Sequence, residues 1–435
     1  MQNRILTLLL ILMGSTAFAQ EVKLISEDDI LSELESKNLK ILMADKETAK
    51  AKADYFQSSA VFLPRISASY TATRTTNPLM AFGSKLNQEV LTQNDFNPAL
   101  LNDPDGINNF ATVISVEQPL INVDKFYERR AAKLKVTATE LQGERFKDFM
   151  KLETRKAYMQ LQMAYKQRDV IELALNTAQK HQTNAENFLE EGLIQKADIL
   201  DVKIRVSELE NQLVHAESQI ENASDFLKFV IQSDEELTLK PIEDLKLNAD
   251  LNELNSAKVK DEREDIQAMT HAVKAREKML KASQMTYLPS LNAFGSYELY
   301  DDEFFQADAN GYLIGAQLKW NIFEGAQRIG KIKAKKAELQ MAEMELQNYK
   351  DESKLALQKA KREYKDALNE VKTTAISVEQ AQESLRIKQD RFAEGLEKST
   401  EVLDAEAKYS QQQLKHFNAI FKHNYTSYYL SFLTK

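Results

Sequence analysis

Residues 312–321 read YLIGAQLKWN, and their alternation decides the architecture. Tyr312, Ile314, Ala316, Leu318 and Trp320 fall on one side of an extended chain; Leu313, Gly315, Gln317, Lys319 and Asn321 fall on the other. Successive side chains of a strand point to opposite faces, so one face is apolar and ends in the chain's only tryptophan, while the other is mostly polar. A run of roughly 9 to 11 residues with this pattern and aromatics near its ends is what a transmembrane β-strand requires. A half-buried strand of a soluble sheet reads the same over one segment.

The same alternation recurs elsewhere in the chain. Ile66, Ala68, Tyr70 and Ala72 alternate with Ser67, Ser69, Thr71 and Thr73, and Phe110–Glu117 and Leu291–Tyr300 carry weaker versions. The expected strands are therefore 65–74, 110–118, 290–300 and 312–321. Tyr70, Tyr312 and Trp320 are the candidate membrane-interface aromatics. Unpaired edges are not tolerated in hydrocarbon, and closed membrane barrels begin at about 8 strands. Four strands cannot close alone, so copies of the chain must complete the barrel. The segment Thr76–Asn109, rich in Asn, Asp and Pro, is expected as an extended loop outside the cell, and Asp301–Gly311 as its shorter counterpart.

Between these windows the chain has few turns. It holds 435 residues with only 11 Gly and 7 Pro, where average usage would give roughly 30 and 20. Most of them cluster around the strands; between Leu120 and Lys240 there is no Pro and only Gly143 and Gly192, and beyond Gly330 only Gly395. Long helices must fill the rest. From Ile199 the apolar positions step Val202, Val206, Leu209, Leu213, Ala216, Ile220, Ala223, Leu227 and Val230. That alternation of threes and fours is a 3.5-residue period, the seam of a coiled coil. The preceding helix of about 65 residues extends roughly 100 Å, too long for a compact domain. Gly192 suits a left-handed cap in a short turn at Glu190–Gln195, closing an antiparallel hairpin over about 123–231; a second hairpin spans about 326–431. On the helices alone, a rod-like periplasmic coiled-coil adaptor or scaffold without a pore is the alternative.

The order repeats. Leu63-Pro64 matches Leu288-Pro289; Pro119-Leu120-Ile121-Asn122 matches Asn321-Ile322-Phe323-Glu324; Gly192 with Asp198 and Asp201 matches Gly395 with Glu401 and Asp404 at identical spacing. Such order marks a duplication, with a first repeat at 20–240 and a second at 241–435. Ahead of both, residues 1–19 read as a secretory signal peptide: Arg4, an apolar run from Ile5 to Met13, and Ala17-Phe18-Ala19 before Gln20.

Composition removes other functions. With no Cys, thiol nucleophiles, disulfides and Cys-ligated metals are excluded. A net charge of −9 without a basic tail argues against nucleic acid. His181, His215, His271, His416 and His423 are scattered, and no phosphate loop, His-Glu-x-x-His or triad signature occurs. No enzyme activity, cofactor or metal site is expected.

The signal peptide, helix to Leu-Pro, strand pair, Pro-Leu-Ile-Asn or Asn-Ile-Phe-Glu-Gly, long helix, Gly-Leu turn and the acidic-hydrophobic-Leu-Asp step, all given twice, resemble the TolC-like outer-membrane efflux proteins. The resemblance covers essentially the whole mature chain. It implies a mainly α fold with a four-stranded β contribution, assembled as a homotrimer whose outer-membrane barrel continues as an α-helical tunnel into the periplasm. It implies a passive exit duct in the outer membrane of a Gram-negative-type cell, working with a periplasmic adaptor (membrane fusion protein) and an inner-membrane transporter in efflux or type I secretion. By position from the glycines, it places Glu401, Asp404, Asp198 and Asp201 at the pore constriction, and Gly192, Leu193, Gly395 and Leu396 in the periplasmic tip turns that meet the adaptor. Capping the returning helix is the competing role for Asp198 and Asp201. The sequence departs from the family at Glu397 with Lys398 beside it, and at Phe188, which stands where the second copy has Arg391.

Overall fold

The structure, a computed structural model, describes residues 22–248 and 257–435. The expected signal peptide lies outside them. The described chain forms two compact units: residues up to Lys46 with Gln142–Ile266 and Tyr349–Lys435, the hairpin unit, and Glu47–Leu141 with Gln267–Asn348, the sheet unit.

The hairpin unit takes most of its mass from four helices: α5 (Val123–Glu190), α6 (Lys196–Ile231), α8 (Gln327–Ala393) and α9 (Ser399–Thr434). The first turns of α5 and α8 belong to the sheet unit. Along α6 the buried positions are Ile199, Val202, Val206, Leu209, Ala216 and Ile220, then Ser224, Leu227 and Ile231. The seam thus slips by one residue from the expected Ala223 and Val230. A step of four, three, four over 11 residues has a period of about 3.67, which relaxes the left-handed supercoil. The cause is a neighbour. β1 (Val22–Ile25) pairs in parallel with β4 (Thr238–Pro241), and this small sheet lies on that face. Ser224 Oγ accepts from Leu239 N at 2.9 Å, while Leu227 and Ile231 share a core with Ile25, Leu239, Tyr158 and Leu161. Each fully buried Leu or Ile contributes about 1.5–3 kcal/mol. Strands of four residues are too short to announce themselves by alternation.

Two helix ends in this unit are stitched by side chains. Asn38 separates α1 (Glu27–Lys37) from α2 (Leu39–Gln57); its amide donates to Val230 O at the end of α6 at 2.6 Å and accepts from Ile41 N at 3.1 Å. One buried side chain therefore satisfies an orphan carbonyl of one helix and an orphan N–H of another. Arg263, just ahead of α7 (Glu264–Met285), donates to Leu433 O near the end of α9 at 3.0 Å and to Asp265 at 2.7 Å. Asp265 also receives Arg145 at 3.1 Å and Tyr349 OH at 2.6 Å. Burial pushes its carboxyl up, but Arg263, Tyr349 and Arg145 outweigh burial and hold it below the usual range.

The sheet unit contains β2 (Arg65–Thr75), β3 (Ile107–Ile121), β5 (Ser290–Asp301) and β6 (Ala309–Lys319), antiparallel in the order β2-β3-β5-β6. β3 extends past the expected end at 118, crossing Pro119 through a register shift between Pro119 and Ile121. Proline donates nothing to a ladder, so the strand tolerates it only at such an irregularity. The segment expected as an extended loop instead carries α3 (Pro78–Asn87) and α4 (Pro98–Asn102). Both start alike: Asn77 Oδ1 accepts from Met80 N at 3.2 Å and Asn97 Oδ1 from Ala99 N at 3.0 Å, each with proline at the first helical position.

Candidate functional site

Both hairpins turn on the same motif. At the end of α5, Leu193 N donates to Phe188 O at 2.8 Å and Gly192 N to Leu189 O at 3.0 Å; at the end of α8, Leu396 N donates to Arg391 O at 2.9 Å and Gly395 N to Phe392 O at 2.9 Å. This is the Schellman arrangement, which needs a left-handed residue in its fifth place. Gly192 has φ 74° and Gly395 φ 72°, where a Cβ is unfavourable. Phe392 is buried with Ala185, Ile199, Val202, Leu385, Val402 and Ala405, and Phe188 and Ile194 pack against them. The two turns thus share one core. Leu193 and Leu396 are left exposed beside it, two apolar side chains in water.

The four acidic candidates do different work. Asp198 and Glu401 each occupy the third position of a returning helix. Asp198 accepts from Gln195 N at 2.9 Å, an N-terminal cap. Glu401 instead pairs with Lys388 across the hairpin at 2.5 Å, and Lys388 holds its carboxyl below the usual range. Asp201 and Asp404, one turn further on, are exposed and carry no hydrogen bond or ion pair among the described residues.

Two buried polar contacts behind the turns have no signal in the sequence. Arg205 of α6 places Nε at 3.0 Å and Nη2 at 2.9 Å from Glu406 Oε2 of α9, with side-chain exposures of 18% and 3%; Ser410 donates to the other carboxylate oxygen at 3.0 Å. His181 Nε2 lies 2.7 Å from Ser399 Oγ, its ring 4.5 Å from that of Phe392. Burial pushes the imidazole down to about 4, so it is neutral at ordinary pH. The partners stand 201 and 218 positions apart, beyond any local pattern.

In the sheet unit, register sorts the side chains into two faces. Ser67 pairs with Ser115, and their hydroxyls meet at 3.1 Å; Ser296, Glu298 and Gln317 follow on the same polar face. The other face carries Ile66, Ala68 and Tyr70 on β2, Ile114 and Val116 on β3, Tyr297 and Leu299 on β5, and Tyr312, Ile314 and Leu318 on β6. Tyr70 is level with Thr112, Leu299 and Asn310 across the sheet, so Tyr70 and Tyr312 lie within two residues of the same height. Trp320 is at the other end, where its Nε1 donates to Tyr287 O at 3.0 Å. β6 begins three residues before the expected 312 and ends at Lys319, so Trp320 lies one residue beyond the strand; eight residues of extended chain from Tyr312 to Trp320 span about 27 Å, comparable with the roughly 25 Å apolar band of membrane barrels. Tyr70 is joined by Phe304 and Phe305 of the β5–β6 loop, with ring centres at 5.7 and 5.0 Å, and its hydroxyl accepts from Phe305 N at 3.1 Å. These two phenylalanines form one aromatic cluster with Tyr70 but sit in a loop, outside any alternation. No helix among the described residues is long and apolar enough to cross a membrane.

No curated protein matches the sequence significantly. Solved structures do match the fold. The CmeC outer membrane channel of Campylobacter jejuni superposes with a TM-score of 0.76 at 14% identity, covering 94% of this chain and 85% of that one. The open state of the MtrE outer membrane channel of Neisseria gonorrhoeae gives 0.75 at 15% identity, with 94% and 88% covered. The outer membrane protein VceC of Vibrio cholerae gives 0.71 at 17% identity, with 93% and 94% covered. The sequence profile described as "Outer membrane efflux protein" matches residues 30–231 and 256–420. Mainly helical, with a small sheet and the architecture of an outer-membrane efflux channel, the chain belongs to the outer membrane efflux protein family.

Proposed function

We propose that three copies of this chain close one barrel, β6 of each pairing antiparallel with β2 of the next, and that the hairpins continue it as a periplasmic tunnel through which an inner-membrane transporter expels its cargo. The observation that carries this reading is the four-stranded sheet with one apolar face, one polar face and both edge strands unpaired. Such edges are not tolerated in lipid, and four strands are too few to close. Each repeat, 20–240 and 241–435, contributes two strands and one hairpin. Tyr70 and Tyr312 mark one membrane interface and Trp320 the other.

The exposed Leu193 and Leu396, held by Gly192 and Gly395, form the contact for a periplasmic adaptor. Asp201 and Asp404, repeated by the trimer, ring the narrow end with negative charge and focus a field that favours cations. Glu401 and Asp198 contribute less, because Lys388 balances one and a helix N-terminus the other. Replacing Glu401 and Asp404 together with Ala is expected to raise single-channel conductance in planar bilayers and weaken cation preference; unchanged conductance and selectivity would sink the constriction. Fractionation tests the wider reading: a heat-dissociable oligomer extracted from outer membranes only by detergent supports it. Release as a soluble protein supports a poreless scaffold instead.

A further inference from the structure

α3 is amphipathic in the reverse of the usual sense. One side, Ala81, Lys85 and Gln88, faces the protein: Ala81 and Gln88 are buried, and Lys85 pairs with Asp95 at 2.7 Å. Gln88 Nε2 donates to Asn108 O at 2.8 Å, to Asn109 Oδ1 at 3.0 Å and to Asp301 O at 3.0 Å, pinning the helix end onto the ends of β3 and β5. Asn109 is paired with Thr73, and by alternation both belong to the polar face of the sheet. The same holds for Ile107, which lines the space beneath Pro78, Ala81 and Phe82. α3 therefore covers the polar face at that end of the sheet.

At about 100° per residue, Leu79, Gly83 and Leu86 fall on the side directly opposite Ala81, Lys85 and Gln88. A Schellman turn at Glu89, φ 59°, brings Val90 N back to Lys85 O at 3.1 Å and leaves Val90 exposed just beyond the helix. Leu79 is 81% exposed, Leu86 55% and Val90 45%. Lipid is not their natural cover, because α3 rides on the polar side of the sheet. In the trimeric barrel proposed above, on which this inference rests, that side is the lumen. The stripe also follows directly on β2, an edge that only another copy can pair. Gly83 stands in its middle, and a Cβ there would meet nothing within 4 Å. A mid-helix glycine costs about 1 kcal/mol against alanine, and no contact among the described residues requires it. It does allow a second helix to approach closely.

We propose that the α3 helices of the assembled copies pack against one another through Leu79, Gly83, Leu86 and Val90, forming an apolar constriction at the mouth of the barrel. The chain has no cysteine, so introduced thiols are unique. Leu79→Cys, Gly83→Cys and Leu86→Cys are made singly in the full chain, with Ile314→Cys on the apolar face of the sheet as control, and outer membranes are treated with a short bismaleimide. The expected result is covalent dimers at one or more of the α3 positions and none at position 314. Leu79→Ser combined with Leu86→Ser, both exposed in the protomer and harmless to its folding, is expected to raise single-channel conductance. Heat-dissociable trimers are scored on gels for every variant. Trimers that give no cross-link at any α3 position, or whose conductance the double Ser variant leaves unchanged, overturn the proposal. Absence of trimers in the unmodified protein overturns the reading beneath it.

Discussion

β2 and α6 were built from comparably simple patterns, yet one chain finishes only the second. Every residue of β2 except Thr75 is exposed, on both faces. α6 buries Ile199, Val202, Leu209, Leu227 and Ile231, among others, against partners from its own chain. The hairpin unit thus draws its stability from within the protomer, while the sheet, in the trimer proposed above, draws its own from lipid and from other copies. Damage to the first should act on the isolated chain, and damage to the second on assembly.

The sharpest break in the hairpin unit is Glu406→Ala. It leaves the Arg205 guanidinium largely buried with only Glu208 nearby, at 3.7 Å, and removal of one partner from such a pair costs about 3–5 kcal/mol. Urea unfolding should show that loss at any protein concentration; a loss confined to the oligomer would erase the contrast. Next in size, Ala316→Arg on the apolar face, midway between Tyr312 and Trp320, should weaken the membrane-inserted form by about 2–4 kcal/mol. Its neighbour on the polar face, Gln317→Arg, should leave it nearly unchanged. Equal effects at 316 and 317 would mean that the faces are misassigned.

A pH titration probes the hairpin unit more gently. His181 is held down to about 4 in the fold, against about 6.5 in an unfolded chain. Between those values the unfolded chain binds more protons, so this contribution to stability is complete above pH 6.5 and falls as pH drops toward 4, by up to about 3 kcal/mol. Urea midpoints at pH 7.5 and 4.5 should differ less in His181→Gln than in the unmodified protein. The smallest effect is at the turns: Gly192→Ala and Gly395→Ala, at positive φ, should each cost about 1 kcal/mol without altering the sheet.

How much of this was legible depended on where the partner of each residue lies. The alternation of 312–321 and the seam from Ile199 to Ile220 are local repeats, readable because each residue reports the same neighbour surface as the one before. The seam misled only from Ser224 onward, where a four-residue strand from elsewhere in the chain replaces the partner helix. In the segment 76–109 the helix starts are carried by residues that also favour turns: Asn77-Pro78 and Asn97-Pro98 are each a cap followed by the first helical residue. The apolar face of α3 pointing outward disguised it further. At the turns the glycines announced themselves. Arg205–Glu406 and His181–Ser399 did not, since nothing near Arg205 or His181 in the chain foretells a partner in α9.

The two free edges also set a timetable. β2 and β6 each offer 11 residues of strand with one side unpaired, and the sticky stretch of β2 is bracketed only by Arg65 and Arg74. Until a neighbour arrives, these are the surfaces on which a wrong chain adds most readily. A protomer in transit is therefore in a race between correct pairing and aggregation. Productive channel formation should rise with protomer supply more steeply than in proportion, because in the proposed trimer the free edges disappear only when the third copy closes the barrel, and not when the hairpins fold.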